Sequence, residues 1–190
     1  MFGREVLLRQ KSNMLDKSEF GDTTKTIIKG LTVKKGSVLL YEFRAMHAGV
    51  VGCILKFVDN NNFYTFEVGG SSAISSRFFQ IRRNFKGTWT TLKRISTNEE
   101  VPFLPFFGYD IDTWYSVEVV TQESEFTISI ALLGITERMK IITVSDDKIP
   151  RGRVGFSTSG TAAVFGEIVL RPPPIPYSNI IVYVIMLYCL

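Results

Sequence analysis

Tyr115-Ser116-Val117-Glu118-Val119 and Phe126-Thr127-Ile128-Ser129-Ile130-Ala131-Leu132 flank the polar segment Gln122-Glu123-Ser124-Glu125. In an extended chain successive side chains point to opposite faces, so Phe126, Ile128, Ile130 and Leu132 share one face while Thr127, Ser129 and Ala131 share the other. The period is that of a strand, and the two runs read as a hairpin of half-buried strands joined by a solvated turn. Outward from this hairpin the same alternation returns at residues 26–33, 37–46, 50–58, 63–68, 78–83, 88–95, 140–145, 153–159 and 163–170, with a first strand at 5–9. Roughly eleven strands exceed what one open twisted sheet usually carries, so two sheets must face each other.

Composition agrees with a packed fold. The chain has 190 residues, 45% of them hydrophobic and 13% aromatic, with a formal net charge of +4. That apolar content excludes a disordered chain, and the length suits one domain with a sizeable core. The lone His47 excludes a multi-histidine metal centre and a histidine-based triad, and Cys53 and Cys189 cannot form a disulfide scaffold. No helical period and no internal repeat stands out. Residues 1–25 read as an N-terminal arm without the apolar run of a signal peptide. Residues 26–171 read as the folded domain. Pro172, Pro173, Pro174 and Pro176 then remove backbone donors and stop it, leaving residues 172–190 as a proline-rich stop and an apolar tail outside the fold. The tail from Ile180 to Leu190 is apolar throughout but only about half as long as the ~20 residues a membrane-spanning helix needs. It reads either as a truncated membrane segment or as translated AT-rich non-coding sequence, and its abrupt change of composition favours the second.

Several stretches carry a family likeness: Gly36-Ser37-Val38-Leu39-Leu40-Tyr41-Glu42-Phe43-Arg44, then Val51-Gly52-Cys53-Ile54-Leu55-Lys56-Phe57 with the turn Asp59-Asn60-Asn61-Asn62 and Phe63-Tyr64-Thr65-Phe66. Phe79-Gln80-Ile81-Arg82-Arg83, Gly87-Thr88-Trp89, Asp112-Thr113-Trp114-Tyr115 and Gly152-Arg153-Val154-Gly155-Phe156 follow in order. Together they resemble the concanavalin A-like lectin/glucanase superfamily, in particular its laminin G-like and thrombospondin C-terminal jelly rolls. The resemblance implies an all-β, two-sheet antiparallel jelly-roll β-sandwich. It also implies an extracellular or cell-surface parent, although no secretion signal, disulfide or Asn-x-Ser/Thr sequon supports that, and an intracellular module stays open. The superfold hosts lectins, glycosidases and adhesion modules alike, so function must come from the site.

Glycoside hydrolysis needs two carboxylates flanking the cleaved bond. Glu123 and Glu125 have a suitable spacing but sit in the expected turn, and Glu42, beside apolar Val38 and Leu40, reads either as a buried acid or as the partner of Arg44. Glu42-Phe43-Arg44 is also similar to a stretch of the keto-disaccharide hydrolase branch, but the glutamate-aspartate-glutamate signature of laminarinase-like enzymes is absent, and no catalytic residue is assigned. The laminin G-like resemblance implies a rim Ca²⁺ ion, for which Asp59 and Asn61 are the candidate ligands; a plain hairpin turn explains the same residues.

Charge is the most informative surface feature. Between Arg77 and Arg94 the basic residues are unopposed, whereas between Glu99 and Glu125 the acids are. A basic hairpin of Arg82, Arg83, Lys86, Lys93 and Arg94 suits a polyanionic glycan. The interleaved Phe78, Phe79, Phe85 and Trp89 read as core rather than as a stacking platform, so no nucleic acid partner is expected. The loop containing Phe103, Phe106 and Phe107 either covers an open edge or projects as a recognition surface. The expected function is a non-catalytic recognition module for a glycan or a protein partner, part of a larger adhesive or surface protein, without cofactor or with Ca²⁺. A hydrolase of the same fold and a structural protein-interaction domain are the alternatives.

Overall fold

The computed structural model describes residues 8–11, 23–70, 77–96, 107–122 and 124–171. They form β1 (Leu8–Lys11), β2 (Thr23–Val33), β3 (Val38–Ala45), β4 (Gly49–Asp59), β5 (Asn62–Gly70) and β6 (Phe78–Phe85). After these come β7 (Thr88–Ile95), β8 (Trp114–Gln122), β9 (Glu125–Leu132), β10 (Met139–Ser145), β11 (Gly152–Ser159) and β12 (Ala162–Arg171). One six-stranded sheet has the order β1-β12-β3-β8-β9-β10 and the other β2-β11-β4-β5-β6-β7. Every pairing is antiparallel, as the two-sheet reading requires. Of the expected first strand at 5–9, residues 5–7 lie outside the described residues and the pairing is with Leu8 to Lys11. The Pro-rich stop and the tail also lie outside them. No helix among the described residues is long and apolar enough to cross a membrane.

Alternation decides which face of each strand is buried. Leu39, Tyr41, Phe43 and Ala45 of β3 and Tyr115, Val117 and Val119 of β8 point between the sheets. From the opposite sheet Cys53, Leu55, Tyr64, Phe66, Phe79, Ile81 and Phe156 meet them. Phe156 of β11 stacks on Phe165 of β12 at 4.2 Å between centroids and lies edge-on to Tyr41 at 5.2 Å, tying the two sheets together. Glu42 belongs to the other register. Val38, Leu40 and Glu42 share the outer, half-buried face of β3, where Glu42 lies against Gly166, so the apolar neighbours are not core residues. Glu125 is likewise a strand residue: it pairs with Gln122 across a tighter turn than the sequence suggests.

One irregularity matters for the site. The β4–β5 register shifts between Leu55 and Asp59, and Lys56 adopts a left-handed φ of 51° there. The bulge places Phe57 beside Ile54 and Phe63 in a small cluster separate from the main core, with Ile27 and Trp89 against it. A Cβ on Gly152 would collide with the backbone of Lys56, so the residue facing the bulge is confined to glycine.

Phe156 is fully buried, so Phe156→Ala removes a ring from the contact that joins the sheets and should destabilise the domain by about 3–5 kcal/mol. Urea unfolding with an unchanged m-value checks this; a loss below ~1 kcal/mol would show that the stack is dispensable.

Candidate functional site

The second sheet carries a continuous row of side chains on its outer face. Register pairs Lys25 of β2 with Ser157 of β11, Ser157 with Gly52 of β4, Gly52 with Glu67 of β5, Glu67 with Gln80 of β6, and Gln80 with Arg94 of β7. In β5 the buried Tyr64, Phe66 and Val68 alternate with Phe63, Thr65 and Glu67, and in β6 Phe79 and Ile81 alternate with Phe78, Gln80 and Arg82. The core therefore takes one set and leaves the other facing outward.

Glu67 anchors this face. Gln80 Nε2 donates to Glu67 Oε2, Thr65 Oγ1 donates to Oε1 at 3.3 Å, and the Arg82 guanidinium stands 3.9 Å from Oε1. Burial holds the Glu67 carboxyl above the usual carboxylate range, against the opposing pull of Gln80, Arg82, Thr65 and Arg94. Burial also lowers Lys25, with Glu67 acting against the shift. Gly52 keeps the floor low: a Cβ there would collide with Ser157 Oγ and stand 3.6 Å from Glu67 Cγ.

Rings hold the cations around this acid. Lys25 lies 4.5 Å from the Phe63 ring, Arg82 4.3 Å from Trp89, Arg94 4.1 Å from Phe78 and Arg153 5.3 Å from Phe57. Trp89 packs edge-on against Phe63 at 5.2 Å. A guanidinium or ammonium stacked this way is oriented but not neutralised. Phe79 and Phe85 belong to the core side, as expected for the interleaved aromatics, whereas Phe78 and Trp89 depart from that expectation and face outward beneath Arg94 and Arg82.

The expected ligand residues separate. Arg82 and Arg94 join the face, and Lys93 is exposed beside Arg94 opposite Ile81. Lys86 occupies the β6–β7 turn with φ 52°, its N–H donating to Asn62 Oδ1 at 3.1 Å. Arg83 departs from the expectation: it lies on the other side of β6 and pairs with Asp146, to which Tyr64 also donates at 2.5 Å. Ile149 N–H donates to the Tyr64 hydroxyl at 3.2 Å, so Arg83 and Tyr64 fasten the β10–β11 connection. Asp110 reaches back to Arg77 at 2.7 Å, so the basic and acidic stretches are partly paired with each other.

Of the two readings of its loop, Phe107 takes the covering one and drops out of the ligand-binding candidates. It is 4% exposed and sits edge-on to Phe79 at 5.4 Å, so it covers the core instead of projecting; Phe103 and Phe106 lie outside the described residues. Asp59 accepts from Asn61 N–H at 2.7 Å and from Asn62 Nδ2 at 2.9 Å, the bonding of a polar turn. Among the described residues no group of three or more His, Cys, Asp and Glu converges as a metal site. Lys25, Glu67 and Gln80 are functional candidates that the sequence reading omitted, and Trp89 is one that it assigned to the core. Their signal was present in Phe63-Tyr64-Thr65-Phe66-Glu67, where one polar set alternates with buried rings.

No protein-family profile matches the chain, and no curated protein matches it. Solved structures do. A carbohydrate binding module from Bacillus subtilis superposes with a TM-score of 0.62 at 11% identity, covering 86% of this chain and 94% of that one. Galectin-Ib from Xenopus laevis gives 0.57 at 13% identity over 77% of this chain and 99% of its own. A xylan beta-1,4-xylosidase from Bacillus halodurans gives 0.52 at 11% identity, and the match spans 85% of this chain but 31% of the enzyme. These likenesses establish the concanavalin A-like jelly-roll fold of the chain.

The raised Glu67 carboxyl has a measurable sign. Its proton is held more tightly in the folded than in the unfolded chain, so its contribution to stability is fully present below the ordinary carboxylate value and is lost as pH rises through the folded value. Relative to Glu67→Gln, the native chain should therefore lose stability as pH rises from about pH 4 upward. Urea midpoints of both chains across that rise check it, and a constant difference would contradict the assignment.

Proposed function

We propose that the domain is a non-catalytic recognition module that binds a glycan across the outer face of β4 to β7, within a larger adhesive or surface protein. The observation that carries this reading is the Glu67 network: a desolvated carboxylate fixing Gln80 and Arg82 beside Trp89. Sugars present apolar ring faces and many hydroxyls. An aromatic ring next to planar, pre-oriented donors and acceptors matches both, because a fixed hydrogen-bonding group gives up little entropy when the ligand arrives. The fold likeness to a carbohydrate binding module and to galectins supports the reading.

The hydrolase alternative has less support. Cleavage needs a second carboxylate across the bond from the first, and among the described residues Glu67 alone contributes a carboxylate to this network. Asp59 and Asn61 serve as turn residues in this reading, so affinity should be equal in Ca²⁺ and in chelator.

A glycan array followed by calorimetry on the strongest binder tests the proposal. Trp89→Ala and Arg82→Ala should each weaken binding at least about tenfold, or ~1.4 kcal/mol, while Trp114→Phe, on the opposite sheet, leaves it unchanged. Binding that survives both Trp89→Ala and Arg82→Ala would place the site elsewhere.

A further inference from the structure

On the reading that this face binds glycans, we infer that its ligand is an acidic oligosaccharide whose carboxylate or sulfate docks on Arg94 while a sugar ring lies at the Trp89 end. Charge on the face is lopsided. Lys25, Arg82, Arg94 and Arg153 are stacked on rings, and Glu67 is the acid among them. Glu67 stands near Arg82, which it partly neutralises. Arg94 forms no salt bridge among the described residues, and Glu67 acts on it only at longer range than on Arg82.

Its geometry is nonetheless fixed. Arg94 Nε donates to Ser96 Oγ at 3.0 Å, Nη1 donates to Gln80 Oε1 at 2.9 Å, and one face of the guanidinium lies on Phe78. Of its five N–H donors, these bonds use one on Nε and one on Nη1. Three donors remain, one on Nη1 and two on Nη2, to hydrogen-bond an incoming oxyanion. Gln80 also links the two halves of the site, accepting from Arg94 while donating to Glu67.

Register sets the length of the ligand. Trp89 is opposite Asn84 and Arg94 is opposite Gln80 on β6. That separation along a strand is about 13 Å, more than one sugar ring spans. A neutral saccharide leaves Arg94 with its terminal donors facing water and gains nothing from the stacked cations. An acidic one releases counterions and docks on a guanidinium that needs no reordering.

The test pairs each acidic glycan with its uncharged counterpart: galacturonan oligosaccharides with their methyl esters, and sulfated galactan (carrageenan) oligosaccharides with their desulfated forms. The native domain should bind at least one acidic form about tenfold more tightly than its counterpart, with the ratio shrinking between about 50 and 200 mM salt. Arg94→Gln should bring the ratio close to one by lowering the affinity for the acidic form, and Arg94→Lys should restore it in part. Preference for galacturonan or for the sulfated galactan identifies carboxylate or sulfate as the group read. Equal affinity for charged and uncharged forms, or a ratio untouched by Arg94→Gln, would overturn the inference and leave the glycan reading standing. Absence of binding to every saccharide on an array of both kinds would overturn the glycan reading itself.

Discussion

The stack of Phe156 on Phe165 is the contact on which the rest depends. It joins neighbouring strands in sequence, β11 and β12, that belong to opposite sheets, and Tyr41 closes against it from β3. Once one face of each strand is committed to this interior, the other face has no freedom: a slip of one residue would bury Glu67 and Arg82 and expose Phe66 and Ile81. The register that packs the core thus also aligns Lys25, Ser157, Gly52, Glu67, Gln80 and Arg94 in one line across six strands. Fold and site follow from a single constraint.

Charge on that line is arranged by desolvation and by rings. Glu67 is buried enough for its proton to be held tightly, yet it accepts from Gln80 and Thr65 and remains close to Arg82. The cations do not collapse onto it, because each rests on its own aromatic ring. A ring offers a quadrupole instead of a countercharge, so the positive field of Arg94 and Lys25 is kept for whatever approaches. Arg83 shows the opposite fate. One step along β6 it faces the interior side and spends its charge on Asp146.

Much of the fold was legible because alternation is a local signal. The hairpin of β8 and β9, the bounds of β7 and the two-sheet architecture follow from period and turn residues alone. The site was legible only in halves. Arg82 and Arg94 could be picked from an unopposed basic run, but their separation from Arg83 needs the face assignment, and the role of Glu67 needs cross-strand register. For Glu42 the buried-acid alternative falls for a related reason: Val38 and Leu40 are apolar residues on an outer face, so the side carrying the larger rings decides which face is buried. Phe57 could not be read outward at all, since the bulge at Lys56 shifts the phase of β4. Phe107 looked available as part of an aromatic loop and instead caps Phe79.

The two tryptophans lie on opposite sheets, Trp89 beside Arg82 on the outer face of β7 and Trp114 beside Arg44 on the outer face of β8. Each can report alone. In a Trp114→Phe chain the emission of Trp89 should shift and saturate as a bound glycan is added, while in a Trp89→Phe chain the emission of Trp114 should stay constant over the same titration. A response from Trp114 with silence from Trp89 would contradict the placement of the binding face on the second sheet.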